Sequence, residues 1–352
     1  VNDITKITIR TINDEVMLQK SGDDSGWTVS SLAGYPADFS KVAKLANQIR
    51  ELEPVNLIRI GKADLGRLEL SDPGEKLSTG TVVELLDKSE KPLAKVVLGK
   101  KHMSSSENPS PYGQWPNGRF VYLPSSGDVF LVTETFSAVT DKSSDWLNKD
   151  FIQAGTLKSL SASKEGNEIW SMGRELTRDP MSLTGTLADN EKEITDKLRT
   201  VGNALSSLRF DRVAPLSEKA ANGLDASTHV LTAMTFDGIS YTLTMGKKAD
   251  DGSLPILVDM QIPEKKKTEE PEASEDGTAP ETEAGSAEPD AETEKLLAQK
   301  ELYSKWIYFI PSWSANNLLT ERSDLVEVEE PEKDAPVEGT EKPPAPEAVP
   351  AD

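Results

Sequence analysis

The stretch KWIYFIPSW, residues 305–313, decides how this chain is read. It is a dense aromatic run, far shorter than the twenty or so apolar residues that a membrane-spanning helix needs. Ahead of it, residues 268–294 carry eleven acidic side chains, no Lys or Arg and no large apolar group. The run is therefore either the start of a new domain or the missing strand of a unit begun earlier. An earlier segment, RFVYLPSS at residues 119–126, has the same character. Comparing what precedes each segment favours the second reading.

The first unit opens with alternating apolar positions in ITKITIRTI (residues 4–12), where Ile7 and Ile9 alternate with Thr and Arg. EVMLQK and GWTVS follow, each after a turn signal. In DFSKVAKLANQIRELEP, Val42, Leu45, Ile49 and Leu52 share one helical face, Asp38 or Ser40 offers an N-cap, and Pro54 follows the stop. VNLIRI reads as a strand. TGTVVELLD and PLAKVVLG read as a hairpin about Lys88, Ser89 and Glu90, and GRFVYLP with DVFLVT as another. A helical stretch is expected near residues 146–151.

The same order then begins again, so internal repetition is tested directly. TLKSLSAS and EIWSMG are strands, with Trp170 in the place of Trp27. A helix is predicted across residues 190–210, with Ile194, Leu198, Val201, Leu205 and Leu208 on one face. HVLTAMTFD and ISYTLTMGKK repeat the long hairpin and set Gly246 on Gly99. Tyr308 then falls on Tyr122. The acidic tract becomes an enlarged loop inside the second unit, the counterpart of the loop at 101–117, which loop-closure entropy tolerates.

The expected fold is α+β: two tandem copies of an antiparallel-sheet-plus-helix unit, with a disordered acidic loop and tail. The first repeat covers residues 1–153. The second covers 154–326, interrupted by a low-complexity acidic insertion at about 263–294. Residues 327–352 form an acidic, Pro-rich disordered tail. Trp306–Ile310 should lie in the same sheet as residues 239–245.

Charge and composition exclude several functions. Of the formal net charge of −21, −11 lies in residues 268–294 and −7 in residues 327–352, which leaves −3 for the rest. No acidic binding face follows, and no basic surface fit for nucleic acid. With no cysteine, thiolate metal sites and Cys nucleophiles are out. The two histidines, His102 and His229, fall at different places in the two units, so no shared metal site is expected. No Gly-x-Ser-x-Gly elbow or phosphate loop occurs. ADDGS (249–253) reads as an Asp-Gly turn. The chain begins without Met on a strand-like segment and reads as trimmed or mature, with its signal or anchor segment absent. No catalytic residue, cofactor or metal is expected.

The most suggestive surface segment is ENPSPYGQWPNGRF (107–120), with Tyr112, Trp115 and Asn117 as candidate partner-binding residues. A stiff loop bearing exposed aromatics is what binding hot spots use. The favoured alternative has Trp115 folded back to cap the sheet. The helical run at 294–306 is expected to pack on its own domain.

Taken together, GWTVS, the helix VAKLANQIRELEP, the turn ADLGRLELSDP, a hairpin ending in Gly and the pair VYLP and VFLV resemble domain-of-unknown-function family 4340. The resemblance covers about residues 1–326 in two copies, although ANGLDAS in the second lacks the proline of ELSDP. It implies tandem units behind an N-terminal membrane anchor, in the company of ABC-type exporter components related to gliding-motility systems. It carries no catalytic residues. The expected function is a non-enzymatic accessory or scaffold subunit at the extracytoplasmic (periplasmic) face of the inner membrane, with ABC-transporter components as protein partners and no nucleic acid. The alternatives are a freestanding envelope protein that binds glycan or peptide and, third, an envelope hydrolase.

Overall fold

In the computed structural model, the alternation in the first segment becomes strand β1 (Lys6–Arg10), which buries Ile7 and Ile9 on one face. The structure describes residues 3–22, 26–53, 55–72, 79–104, 115–226, 229–263 and 291–328. The acidic insertion up to residue 290 and the tail from residue 329 lie outside the described residues, and with them their expected disorder.

After β1 come β2 (Glu15–Ser21), β3 (Gly26–Val29) and β4 (Tyr35–Pro36), then helix α1 (Phe39–Arg50). Asp38 caps α1 by accepting from Lys41 N at 3.2 Å, and Val42, Leu45, Ala46 and Ile49 form its buried stripe. Strands β5 (Asn56–Ile58), β6 (Thr81–Leu86), β7 (Pro92–Met103), β8 (Pro116–Leu123) and β9 (Asp128–Val132) complete the first half.

The second half holds β10 (Leu157–Lys164), β11 (Asn167–Gly173), β12 (Ser182–Leu183) and β13 (Glu191–Glu193), then α2 (Thr195–Gly202). It continues with β14 (Arg212–Pro215), β15 (His229–Thr235), β16 (Ser240–Met245) and β17 (Leu254–Gln261). Helix α3 (Ala291–Tyr303), β18 (Trp306–Ile310), α4 (Ser312–Leu318) and β19 (Val326–Val328) close it.

Among the described residues these strands form two large antiparallel sheets and one small pair, with few helices: an α+β architecture. The first sheet runs β4-β3-β2-β1-β6-β7-β8-β9-β5 and the second β12-β11-β10-β15-β16-β17-β18-β14, while β13 pairs with β19. As expected, Trp306–Ile310 lies in the sheet that holds β16. It pairs with β17 on one side and β14 on the other, so the acidic insertion interrupts a strand pair.

Laid strand for strand in these orders, the registers correct two matches drawn from sequence. Trp170 pairs with Ala162 as Val16 pairs with Ile9, so Trp170 falls on Val16 and not on Trp27. Likewise Tyr308 pairs with Val213 as Phe130 pairs with Leu57, so Tyr308 falls on Phe130 and not on Tyr122. The insertion thus occupies the place of the short β8–β9 turn and not of the 101–117 loop. The sequence match slipped by one strand because neighbouring apolar strands share one alternation. Gly99 and Gly246 are both closely approached by backbone: a Cβ on Gly99 would stand 2.3 Å from Leu68 O, and one on Gly246 2.3 Å from Asn222 O.

Two helices are shorter than their periodicity predicts. Helix α2 stops at Gly202, and Leu205 and Leu208 reach the core from a turn. Its expected first turn is taken by β13. Near residues 146–151 only a 3-10 turn, Ser143–Trp146, forms. Helix α3 packs on its own half as expected, burying Tyr303.

One continuous core joins both halves. Tyr35, fully buried, projects from β4 onto Phe210, Trp306 and Tyr308, with ring centroids 5.7, 5.3 and 6.2 Å away in edge-on contact. Phe151 from the connecting segment stands 5.1 Å from Phe210 and 4.5 Å from Tyr308. Burial pushes the Tyr35, Tyr303 and Tyr308 phenols well above the ordinary tyrosine range. Tyr308 donates to Leu302 O at 3.3 Å, whereas the Tyr35 hydroxyl makes no bond of proper geometry, although it lies near that of Tyr308.

The pair β13–β19 is locked by Arg322, whose two guanidinium nitrogens donate to the Glu191 carboxylate at 2.6 and 2.8 Å. That bond, with Ala188 N, holds the Glu191 pKa down to about 2 from its ordinary 4.5. A depressed carboxylate contributes stability above its unfolded pKa and loses it as pH falls through the folded one.

Tyr35→Ala should destabilise the chain by about 3–5 kcal/mol in chemical denaturation, while Tyr35→Phe, which removes a hydroxyl without a proper partner, should stay within about 1 kcal/mol of the parent. The stability gap between the parent and Glu191→Gln should close as pH is lowered from about 4.5 towards 2; a gap that holds constant over that window contradicts the role given to the Arg322 pair.

Candidate functional site

The candidate partner-binding segment sits at the end of the longest hairpin. β7 and β8 stay paired as far as His102 with Gly118 and Met103 with Pro116, and Ser104 N donates to Trp115 O at 2.9 Å. Trp115 is 62% exposed and Met103 40%. Trp115 therefore does not fold back to cap the sheet, the placement favoured from sequence. It stands out because the pairing carries its backbone past the body of the sheet. Tyr112 lies outside the described residues.

Asn117 serves the hairpin itself. Its Oδ1 stands 2.7 Å from His102 Nδ1, a bond that needs the hydrogen on Nδ1, and the His102 ring meets Phe120 edge-on at 6.0 Å. The arrangement fixes the base of the tip and leaves Trp115 and Met103 to present apolar surface. Such a rigid, exposed aromatic loses little entropy on binding.

A cleft of about 770 Å³ went unnoticed in the sequence. It lies between the connecting segment, with Lys142, Asp145 and Lys149, the turn with Arg209 and Asp211, and Trp313, which is 66% exposed. Lys149 Nζ donates to Phe210 O at 3.2 Å and Asp211 O at 2.5 Å and lies 4.6 Å from the Phe210 ring centre. The residue as a whole is exposed, but two carbonyls and a ring face hold its ammonium. Burial lowers its pKa to about 8, outweighing the upward pull of Asp211 and Asp145. The lysine clasps the start of β14, and Ser144, Ser206 and Ser207 line the same cleft. The only sequence cue was Trp313, in the stretch quoted first.

Titratable groups elsewhere form structural pairs. Glu321 accepts from Lys164 at 2.9 Å, with His229 Nε2 3.9 Å away. Asp251 accepts from Ser253 N and Oγ at 2.8 and 2.6 Å beside Gly252 at φ +80°, the Asp-Gly turn read from sequence; these bonds lower the Asp251 pKa. Among the described residues no three His, Cys, Asp or Glu side chains come together to hold a metal. No described helix is long and apolar enough to cross a membrane.

No curated protein and no solved structure matches the chain. The family model described as Domain of unknown function (DUF4340) matches residues 27–227, more than half of it. The chain belongs to the DUF4340 family.

Proposed function

We propose that this protein is a non-catalytic, partner-binding subunit of an ABC-type export or gliding-motility-like system, held at the extracytoplasmic face of the inner membrane. The observation that carries the binding role is the exposed Trp115–Met103 tip on a hairpin braced by His102 and Asn117. A scaffold needs a rigid body with an apolar contact of this kind, and an enzyme needs convergent acids, bases or nucleophiles. The compartment and the transporter partners rest on the company implied by the family resemblance. Two tandem units, residues 1–153 and 154–326, are part of the same reading; the shared strand order and the matched Gly99 and Gly246 support them. The second reading, a freestanding envelope protein for glycan or peptide, draws on the cleft edged by Trp313, whose three cations and three carboxylates balance.

Photo-crosslinking from position 115 in native membranes tests the first reading. It should trap integral exporter components, and Trp115→Ala should weaken their binding about thirtyfold, the effect of a 2 kcal/mol hot spot, while stability stays within about 0.5 kcal/mol. Recovery of the full-length protein in the soluble cytosol, or unchanged binding by Trp115→Ala, would count against it.

A further inference from the structure

Strand β5 is the outermost strand of the first sheet, hydrogen-bonded to β9 on one side only. Val55 and Leu57, on its approach and at its centre, are each 54% exposed. Exposed apolar edge strands are costly, and proteins commonly cover or charge them. The second sheet shows how one is covered. There Val213, at the place of Leu57, is only 5% exposed, because the first half lays the turn Ser30–Leu32 against β14 and seats Tyr35 on Tyr308. Nothing among the described residues covers Leu57 in the same way.

The ground beside this edge is acidic. A cleft of about 340 Å³ between the end of α1 and the end of β9 is lined by Glu51, Glu53 and Glu134 against a single Lys44, with Leu52 and Val132 as its apolar wall. Glu51 is paired with Arg50, and Glu134 accepts from Phe136 N, so among the described residues Glu53 and Glu134 face the cleft without an ion-paired cation. Val55 N donates to Leu131 O, which ties the edge to this cleft.

We propose that β5 is a docking edge for an extended segment of a partner protein in which apolar residues alternate with Lys or Arg. The backbone would add to the sheet, the apolar side chains would cover Val55 and Leu57, and the cations would reach Glu53 and Glu134. The chain's own tail fits poorly, since residues 327–352 carry −7. The surface shares no lining residue with the Trp115 tip and needs no assumption about compartment.

The test uses the full chain and a capped peptide of roughly ten residues alternating valine and lysine, with hydrogen exchange read at β5. A serine–lysine peptide of equal charge controls for attraction to the acidic tracts. The valine–lysine peptide should slow exchange at Asn56–Ile58 by about tenfold or more, and the double variant Val55→Ser, Leu57→Ser should abolish that protection at an unchanged melting temperature. Absence of protection at saturating peptide, equal protection by the serine–lysine peptide, or protection that survives in the double variant overturns the proposal. So does protection that grows with protein concentration alone, which would make a second copy the occupant.

Discussion

The seating of Tyr35 in the second half is the constraint on which the rest of the molecule depends. A tight turn with Ala33 and Gly34 at φ +53° and +83° leads into β4 and sends this side chain away from its own sheet. It lands among Phe210, Trp306 and Tyr308, with Phe151 and Tyr303 completing the cluster. Each edge-on ring pair contributes about 0.5–1.5 kcal/mol beyond its area, so the several pairs make a joint, not a hinge. Lys149 adds a clasp from the connecting segment to the carbonyls at the start of β14. The first half thus covers the second half's edge strand, and its own edge, β5, keeps Leu57 exposed.

The same joint explains how the chain carries a long acidic insertion. Strands β17 and β18 remain paired on either side of it, and α3 returns to the core by burying Tyr303 against Tyr308 and Phe151. What the insertion adds in composition is charge, with −11 over residues 268–294. Two exposed apolar features of the first half, the Trp115 tip and the β5 edge, then belong to one body.

Local pattern was legible wherever one element alone satisfied it. The alternation at Ile7 and Ile9 and the Asp38 cap with its buried stripe on α1 came from residue spacing, whereas Trp306–Ile310 was placed in the right sheet through a match that slipped by one strand. The errors came where neighbours compete. Trp170 was set on Trp27 because two consecutive meander strands look alike, and only pairing with Ala162 distinguishes them. The last turns predicted for α2 were lost at Gly202 and Asn203, although the leucines beyond stay buried. For the candidate segment, the exposure of Trp115 was not legible, since it depends on how far β7 and β8 remain paired. The Lys149 cleft and the bare β5 edge arise from tertiary packing and left almost no mark in spacing.

The central claim is that the two sheets form one body with one core. Differential scanning calorimetry of the intact chain tests it most directly. The account predicts a single unfolding transition whose calorimetric and van't Hoff enthalpies agree. Two resolved transitions, or a calorimetric enthalpy about twice the van't Hoff value, would mean that the halves unfold independently and that Tyr35 joins them only weakly.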